Sequence, residues 1–168
     1  MNTANSLTLL GLAVTVVILY ANLRTWWTGS RDFKTIAPFA TYFVYGGAMT
    51  MCVGGLLGFL AGCAAGATNT AGEKGVPTVT GTGGGGTLAS GTLGRLTPEG
   101  GVVVFVATFA LIIAWRAAGK NVKKRAFGGA FCGATLCTTA GVAGLMQWLG
   151  PAINQLGATL RGIVESGL

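Results

Sequence analysis

The chain has 168 residues, of which 51% are hydrophobic, with 11 basic and only 4 acidic side chains and no histidine. Soluble domains are about one-quarter charged, so this composition excludes an ordinary water-soluble fold and predicts an integral membrane protein. The missing histidine and the few carboxylates also remove most acid–base and metal-binding chemistry, so we expect no enzyme, no cofactor and no metal site.

Four stretches are apolar enough and long enough to cross a bilayer, for which about 20 residues suffice. They cover residues 7–23, 38–66, 101–118 and 126–149. The second begins at Pro38, since proline favours the first position of a helix, and the fourth ends at Gly150-Pro151. The pattern predicts an all-α fold, a polytopic membrane protein with four transmembrane helices in one domain over residues 1–168.

The first stretch has an alternative interpretation, a secretory signal peptide that is cleaved from the mature chain. Residues 1–6 contain no lysine or arginine, and no clear small-x-small cleavage motif follows the apolar run. We therefore expect the first helix to be retained.

Small residues recur at every fourth position of the second stretch and again in the fourth. The predicted helix-packing positions are Gly46, Thr50, Gly54, Gly58, Gly62, Gly66, Gly129, Gly133 and Gly141. In lipid, helices associate through close van der Waals contact, which small residues permit. The stripe therefore predicts a packing face, a glycine zipper, whose partner is either the fourth helix or another copy of the chain.

Two segments differ in composition from the apolar stretches. Residues 67–100 are rich in glycine, threonine and serine, which predicts a flexible loop. In the tail, residues 151–168, apolar residues recur at helical intervals between polar ones, which predicts a short amphipathic helix at the membrane surface. A frayed terminus is the alternative for the tail.

The basic residues predict the orientation in the membrane. The connection 24–37 has a net charge of +2, whereas the Gly-rich loop and the tail are neutral. The remaining +5 belongs to the basic loop around 119–125, formed by Arg116, Lys120, Lys123, Lys124 and Arg125. By the positive-inside rule both connections are cytoplasmic, and both chain termini lie outside. The basic loop could also make weak contacts with anionic lipid or DNA.

Polar and reactive side chains within the predicted helices are few. Cys52, Cys63, Cys132 and Cys137 lack the spacing of a metal or redox pair, so we interpret them as small packing residues. No charged residue lies in the middle of a stretch, which argues against an ion-coupled transporter. A passive pore built from several copies stays open, with Thr135, Thr138 and Thr139 as candidates for its lining.

The Gly/Ala/Val/Thr-rich stretches, the loop GVPTVTGTGGGGTLASG and the basic VKKR segment carry a family resemblance. In composition along its whole length, the chain resembles the small plasmid-spread (Spd-type) membrane proteins of actinobacterial conjugative plasmids. This resemblance implies a non-enzymatic accessory subunit of an oligomeric membrane assembly that moves plasmid DNA. It implies no particular site residues.

Two other functions fit the same features. One is a phage holin-like protein that oligomerises and opens the membrane, although many holins end in a strongly charged tail and this tail is neutral. The other is a structural, pilin-like subunit of a secretion or envelope complex. In each case we expect the partners to be the lipid bilayer and either further copies of the chain or other subunits of a membrane complex.

Overall fold

The structure, a computed structural model, describes residues 6–29 and 31–167. These residues form seven α-helices and no β-strand, which confirms the all-α class for the part of the chain described. The helices are α1 Leu9–Trp27, α2 Phe33–Thr50, α3 Leu56–Thr80, α4 Pro98–Ala117, α5 Lys120–Leu136, α6 Ala140–Leu145 and α7 Leu149–Ser166. The two chain termini, whose side of the membrane the sequence predicts, lie outside the described residues.

Helices α2 and α5 form the centre of the fold and run parallel to each other. Gly129 of α5 lies against the backbone of Phe39, and Gly133 lies against the backbone of Phe43, so residue numbers rise together along both helices. Because the glycines carry no side chain, the two backbones touch directly. Parallel packing places the first residues of α2 and α5 at the same end of the bundle.

Helices α1 and α4 flank this central pair and run in the opposite direction. Cys132 of α5 faces the Thr15 carbonyl of α1, and Asn22 of α1 lies beside Gly128. On the other side, the Tyr42 hydroxyl of α2 donates to a carbonyl of α4. Residues 28–29 and 31–32, which follow α1, and residues 118–119, which follow α4, therefore lie at one end, which we call the basic end, and the linker 81–97 lies at the other, the loop end.

An asparagine holds α3 against the start of α1. Thr8 caps α1 by accepting a hydrogen bond from the Gly11 amide, and its own amide and hydroxyl donate to Oδ1 of Asn69 at 2.8 and 3.1 Å. Nδ2 of Asn69 in turn donates to the Ser6 carbonyl at 2.9 Å. We call this arrangement the Asn69 clamp.

The same arrangement recurs between α7 and the start of α4. Thr97 caps α4 through the Gly100 amide and donates to Oδ1 of Asn154 at 2.9 and 3.3 Å. Nδ2 of Asn154 donates to the Arg95 carbonyl at 3.2 Å. We call this the Asn154 clamp. The fold therefore contains an internal repeat of two halves, in which helices α1 to α3 correspond to helices α4 to α7.

Backbone contacts repeat along with the clamps. A methyl group at Gly72 would overlap the Leu10 backbone, and one at Gly157 would overlap the Glu99 backbone at the corresponding place in α4. Each half thus consists of an outer helix, a short connection at the basic end, a central helix, and a helical segment that returns across the start of the outer helix. The central helices α2 and α5 correspond to each other, which is why they run parallel.

Replacement of either clamp asparagine by alanine is expected to lower the free energy of unfolding by about 1 to 2 kcal/mol, because the threonine and carbonyl partners lose their hydrogen bonds. Asn69→Ala should cost more than Asn154→Ala, since Thr8 is buried and Thr97 is exposed. Thermal unfolding in detergent followed by circular dichroism measures the loss. Asn121→Ala, at an exposed position of α5, is the matched control and should leave the unfolding temperature unchanged.

The second predicted transmembrane helix, residues 38–66, is wrong as a continuous helix. It is broken between Thr50, where α2 ends, and Leu56, where α3 begins. Gly54 in the break has φ +82°, a left-handed conformation that glycine adopts without a steric penalty. The every-fourth-residue glycines thus include a turn rather than forming one uninterrupted stripe.

The flexible loop predicted over residues 67–100 is also wrong. Helix α3 continues to Thr80 and ends at Gly81, which has φ +69°, so that only 81–97 links α3 to α4. This linker is held by backbone hydrogen bonds to segments at both sides: Leu88 to Leu7, Leu9 to Gly86, Gly91 to Thr138 and Ala140 to Ala89, at 2.8 to 3.1 Å. Its Leu93 is 4% exposed and lies in the core.

The fourth predicted helix, residues 126–149, is likewise divided. Helix α5 ends at Leu136, and the Thr138 and Thr139 hydroxyls donate to carbonyls three residues back at 2.6 and 2.7 Å, a local bonding that competes with continuation of a helix. Most of the basic loop 119–125 belongs to α5 itself. The expected stop at Gly150-Pro151 is wrong too, since Pro151 lies in the first turn of α7, where a missing amide costs nothing.

Candidate membrane surface, helix interface and basic end

Among the described residues, two helices, α1 and α4, are long and apolar enough to cross a membrane. Only 11% of the apolar window of each is buried inside the protein. They correspond to the first and third predicted transmembrane helices, whereas the second and fourth stretches lack a helix of this kind. The remaining surface of α1 and α4 is free to face lipid.

Large apolar side chains point outward from both helices. They are Leu9, Val16, Val17 and Tyr20 on α1, and Val102, Phe105, Val106, Phe109, Ile112 and Ile113 on α4, each between 47% and 67% exposed. Soluble monomers rarely expose apolar patches beyond a few hundred Å². These outward faces of α1 and α4 are typical of surfaces that are covered by an apolar medium and not by water.

The glycines predicted to pack helices have different positions in the structure. Gly46, Gly129 and Gly133 all lie at the α2–α5 interface, where a methyl group on any of them would overlap backbone of the other helix. This contact lies inside one chain and leaves no space between the two helices.

The other predicted packing residues do not join this interface. A Cβ atom at Gly54, Gly66 or Gly141 would meet open space, and Gly58 packs against the Cys52 carbonyl next to the break. The Thr50 hydroxyl donates to the Gly47 carbonyl at 2.7 Å at the end of α2.

A cavity of about 270 Å³ lies at the loop end, where α2 and α5 end. Its lining includes Thr50, Gly62, Ser90 and Thr138. Of the three threonines proposed to line a pore, Thr138 is in this lining, whereas Thr135 is fully buried and donates to carbonyls of its own helix. The three side chains therefore do not form a common polar lining.

The basic residues of both connections meet at the basic end. Arg116 lies in the last turn of α4, and Lys120, Lys123, Lys124 and Arg125 lie on the first turns of α5. Nη1 of Arg125 donates to the Thr35 carbonyl of α2 at 2.6 Å, which ties the two central helices together at this end. The ammonium of Lys123 lies 5.3 Å from the Trp115 ring centre, and the guanidinium of Arg31 lies 4.8 Å from that of Trp27.

Three acidic side chains at the two ends, Asp32, Glu99 and Glu165, have local partners. Asp32 caps α2 by accepting from the Lys34 amide at 3.1 Å. At the loop end, Arg161 of α7 contacts Glu165 at 2.6 Å and Glu99 of α4 at 3.0 Å, and these two carboxylates raise the pKa of the guanidinium. Arg161 and Glu165 are exposed and Glu99 is only partly buried, so these ion pairs contribute little to stability.

The four cysteines are free thiols in different surroundings. Cys132 and Cys137 are buried, Cys52 is half-buried, and Cys63 is exposed on α3. Nowhere in residues 6–29 and 31–167 do three His, Cys, Asp or Glu side chains come together in a group that could hold a metal ion.

Sequence reasoning missed the residues that organise the fold, Asn69, Asn154, Tyr42 and Tyr45. The signal for the asparagines was present, because L-T-x-x-G at 7–11 recurs at 96–100 and N-x-x-G at 69–72 recurs at 154–157. Comparison of the chain with protein-family models, with curated proteins and with solved structures gives no match.

Proposed function

We propose that this chain is a non-enzymatic integral membrane protein that acts as a structural subunit of a membrane assembly. The observation that supports it most is the outward apolar surface of α1 and α4, which water would not cover favourably. In this proposal α2 and α5 also cross the bilayer, between the outer helices. They need less apolar surface because much of theirs is in contact with other helices.

The proposed orientation places the basic end in the cytoplasm and the linker 81–97 outside. The basic residues of both connections lie together at that end, whereas the charged residues of the loop end cancel. Lysine and arginine excess marks cytoplasmic connections. A basic side chain lies over the ring of Trp27 and another over the ring of Trp115. This arrangement fits the boundary between lipid headgroups and acyl chains.

Plasmid DNA transfer is the process that we propose the assembly serves, as the resemblance to plasmid-spread proteins implies. Because Gly46, Gly129 and Gly133 are used inside one chain, association between copies would use the outward faces of α1 and α4. Because α2 and α5 are in direct contact, a holin-like pore, the first alternative, would form between copies of the chain and not between these two helices. A pilin-like subunit remains the other alternative.

Single cysteines introduced in a background without native cysteines test the insertion and orientation. Thr82→Cys in the linker should react with an impermeant maleimide added outside intact cells, and Asn121→Cys in α5 should react only after the membrane is opened. Carbonate extraction should leave both variants in the membrane fraction. Release by carbonate, or labelling of both cysteines from outside, would refute the proposal.

Expression of the chain alone separates the remaining alternatives. A subunit of a larger assembly should leave the membrane potential of the host intact, whereas a holin-like protein should collapse it and permit lysis. Loss of plasmid spread on deletion, with normal plasmid replication, is the result expected for the transfer function.

A further inference from the structure

The two halves of the internal repeat differ in how the outer helix meets the central pair. The outer helix of the first half, α1, packs closely on α5, the central helix of the second half: a methyl group at Gly128 would lie 2.8 Å from the side-chain Nδ2 of Asn22, and Sγ of Cys132 lies 3.9 Å from the Thr15 carbonyl oxygen. At these two points α5 presents a glycine and a cysteine, so α5 contributes no long side chain to the contact.

The outer helix of the second half, α4, instead meets two tyrosines of α2, the central helix of the first half. The Tyr42 hydroxyl donates to the Leu111 carbonyl at 2.5 Å, and the Tyr45 hydroxyl donates to Oγ1 of Thr108 at 3.0 Å. Each contact is made by the hydroxyl at the end of a tyrosine side chain, so the length of that side chain separates α4 from α2. The space is therefore specific to the contact between α4 and α2, and the contact between α1 and α5 lacks it.

The resulting groove has a volume of about 320 Å³ and lies at the basic end between α2, α4 and α5. Its lining is mostly apolar and includes Ala37, Tyr42, Leu111, Ala114, Trp115 and Val122. Ala37 and Ala114 are exposed, and Trp115 is 42% exposed, so the groove opens on the outer surface of the bundle. A chain-like apolar ligand could enter it from the side.

Cationic groups stand at the edge of this groove. Lys34 is part of the lining, and the Lys123 ammonium lies over Trp115, which also lines it. Asp32 is the one acidic residue of the two connections, and it caps α2. An apolar groove that ends at uncompensated lysines is complementary to a molecule with an acyl chain and an anionic head group.

We propose that this groove binds one anionic phospholipid, with an acyl chain beside Tyr42 and Leu111 and the phosphate near Lys34 and Lys123. The inference rests on the proposed membrane insertion, since the lipid would enter from the surrounding leaflet. It adds a stoichiometric lipid site to a surface that otherwise only orients the protein.

Native mass spectrometry of the full-length chain, released from detergent after incubation with phosphatidylglycerol or phosphatidylcholine, tests the site. We expect one retained phosphatidylglycerol and a clear preference over phosphatidylcholine. A lysine near an anionic surface contributes about fivefold, so Lys34→Gln/Lys123→Gln should reduce the preference by roughly 25-fold. Lys74→Gln/Arg95→Gln, which removes two charges at the loop end, should leave it unchanged.

A variant that fills the groove tests the apolar part of the site without altering charge. Ala114→Leu should lose the retained lipid, whereas Ala110→Leu, one turn earlier on α4 and outside the lining, should keep it. Circular dichroism on both variants confirms that they remain folded. Undiminished phosphatidylglycerol binding by folded Ala114→Leu would overturn the proposal.

Two further outcomes have distinct meanings. A chain that resists carbonate extraction but shows no preference for phosphatidylglycerol refutes the lipid site and leaves the proposed function standing. If a short DNA duplex displaces the lipid and its binding needs Lys34 and Lys123, the basic end is a nucleic-acid surface and the lipid assignment is wrong.

Discussion

Gly133→Ala is expected to lower the free energy of unfolding by about 2 to 3 kcal/mol, because the added methyl group would overlap the Phe43 carbonyl oxygen and force α2 and α5 apart. Thermal unfolding in detergent measures the change. The matched control is Gly66→Ala in α3, where a Cβ meets open space. Alanine there should be neutral or should stabilise the helix by up to about 1 kcal/mol.

The physical reason for the large effect at Gly133 is the directness of the contact. Gly46, Gly129 and Gly133 bring two backbones together, so the obstructing atoms are main-chain atoms that cannot rotate away. In the proposed membrane-inserted arrangement this close packing would be the main source of association between α2 and α5, since burying apolar surface gains little in lipid. If Gly133→Ala unfolds at the same temperature as Gly66→Ala, this interface does not hold the fold together.

Leu93→Ala is expected to cost about 2 to 4 kcal/mol, as truncation of a buried leucine leaves a cavity. Leu93 is 4% exposed and packs in a cluster that joins the ends of α2 and α5 with α4, α6 and α7, formed by Ala48, Met51, Val104, Cys137, Ala143 and Leu149. The same variant should make the linker 81–97 sensitive to protease. Unfolding temperature and limited proteolysis measure the two effects.

Leu145→Ala is the matched control for Leu93, since Leu145 is 79% exposed on α6. It should change neither the unfolding temperature nor the rate of cleavage. A flexible linker, as the composition of residues 67–100 predicts, would make the Leu93 variant equally neutral. That result would contradict the ordered linker that the structure describes.

The breaks in the second and fourth predicted helices were not readable from local pattern. Apolar content is continuous through Gly54 and through Thr138, and each residue type occurs within transmembrane helices. Whether glycine continues a helix or turns it depends on what the following segment can pack against. Here α3 returns to the start of α1, where the hydrogen bonds of the Asn69 clamp join the two helices.

The order of the linker 81–97 was also not predictable from its local sequence. Its glycine and threonine content predicts disorder when the segment is considered alone. In the structure its backbone groups form hydrogen bonds with the backbone of Leu7, Leu9, Thr138 and Ala140, which all lie outside the linker. Composition reflects the conformational entropy that a segment loses when it becomes ordered. In this linker the backbone hydrogen bonds and the burial of Leu93 offset that loss.

The sequence alone determined the helical class, the apolar character of α1 and α4 and the concentration of charge in two connections, because these follow from composition and from the properties of each segment. It also contained the repeated L-T-x-x-G and N-x-x-G motifs. Only the tertiary structure decided that the halves repeat, that Gly46, Gly129 and Gly133 meet inside one chain, and that Tyr42 opens a groove. Those features depend on which backbones approach each other, and such distances are set by packing between remote segments.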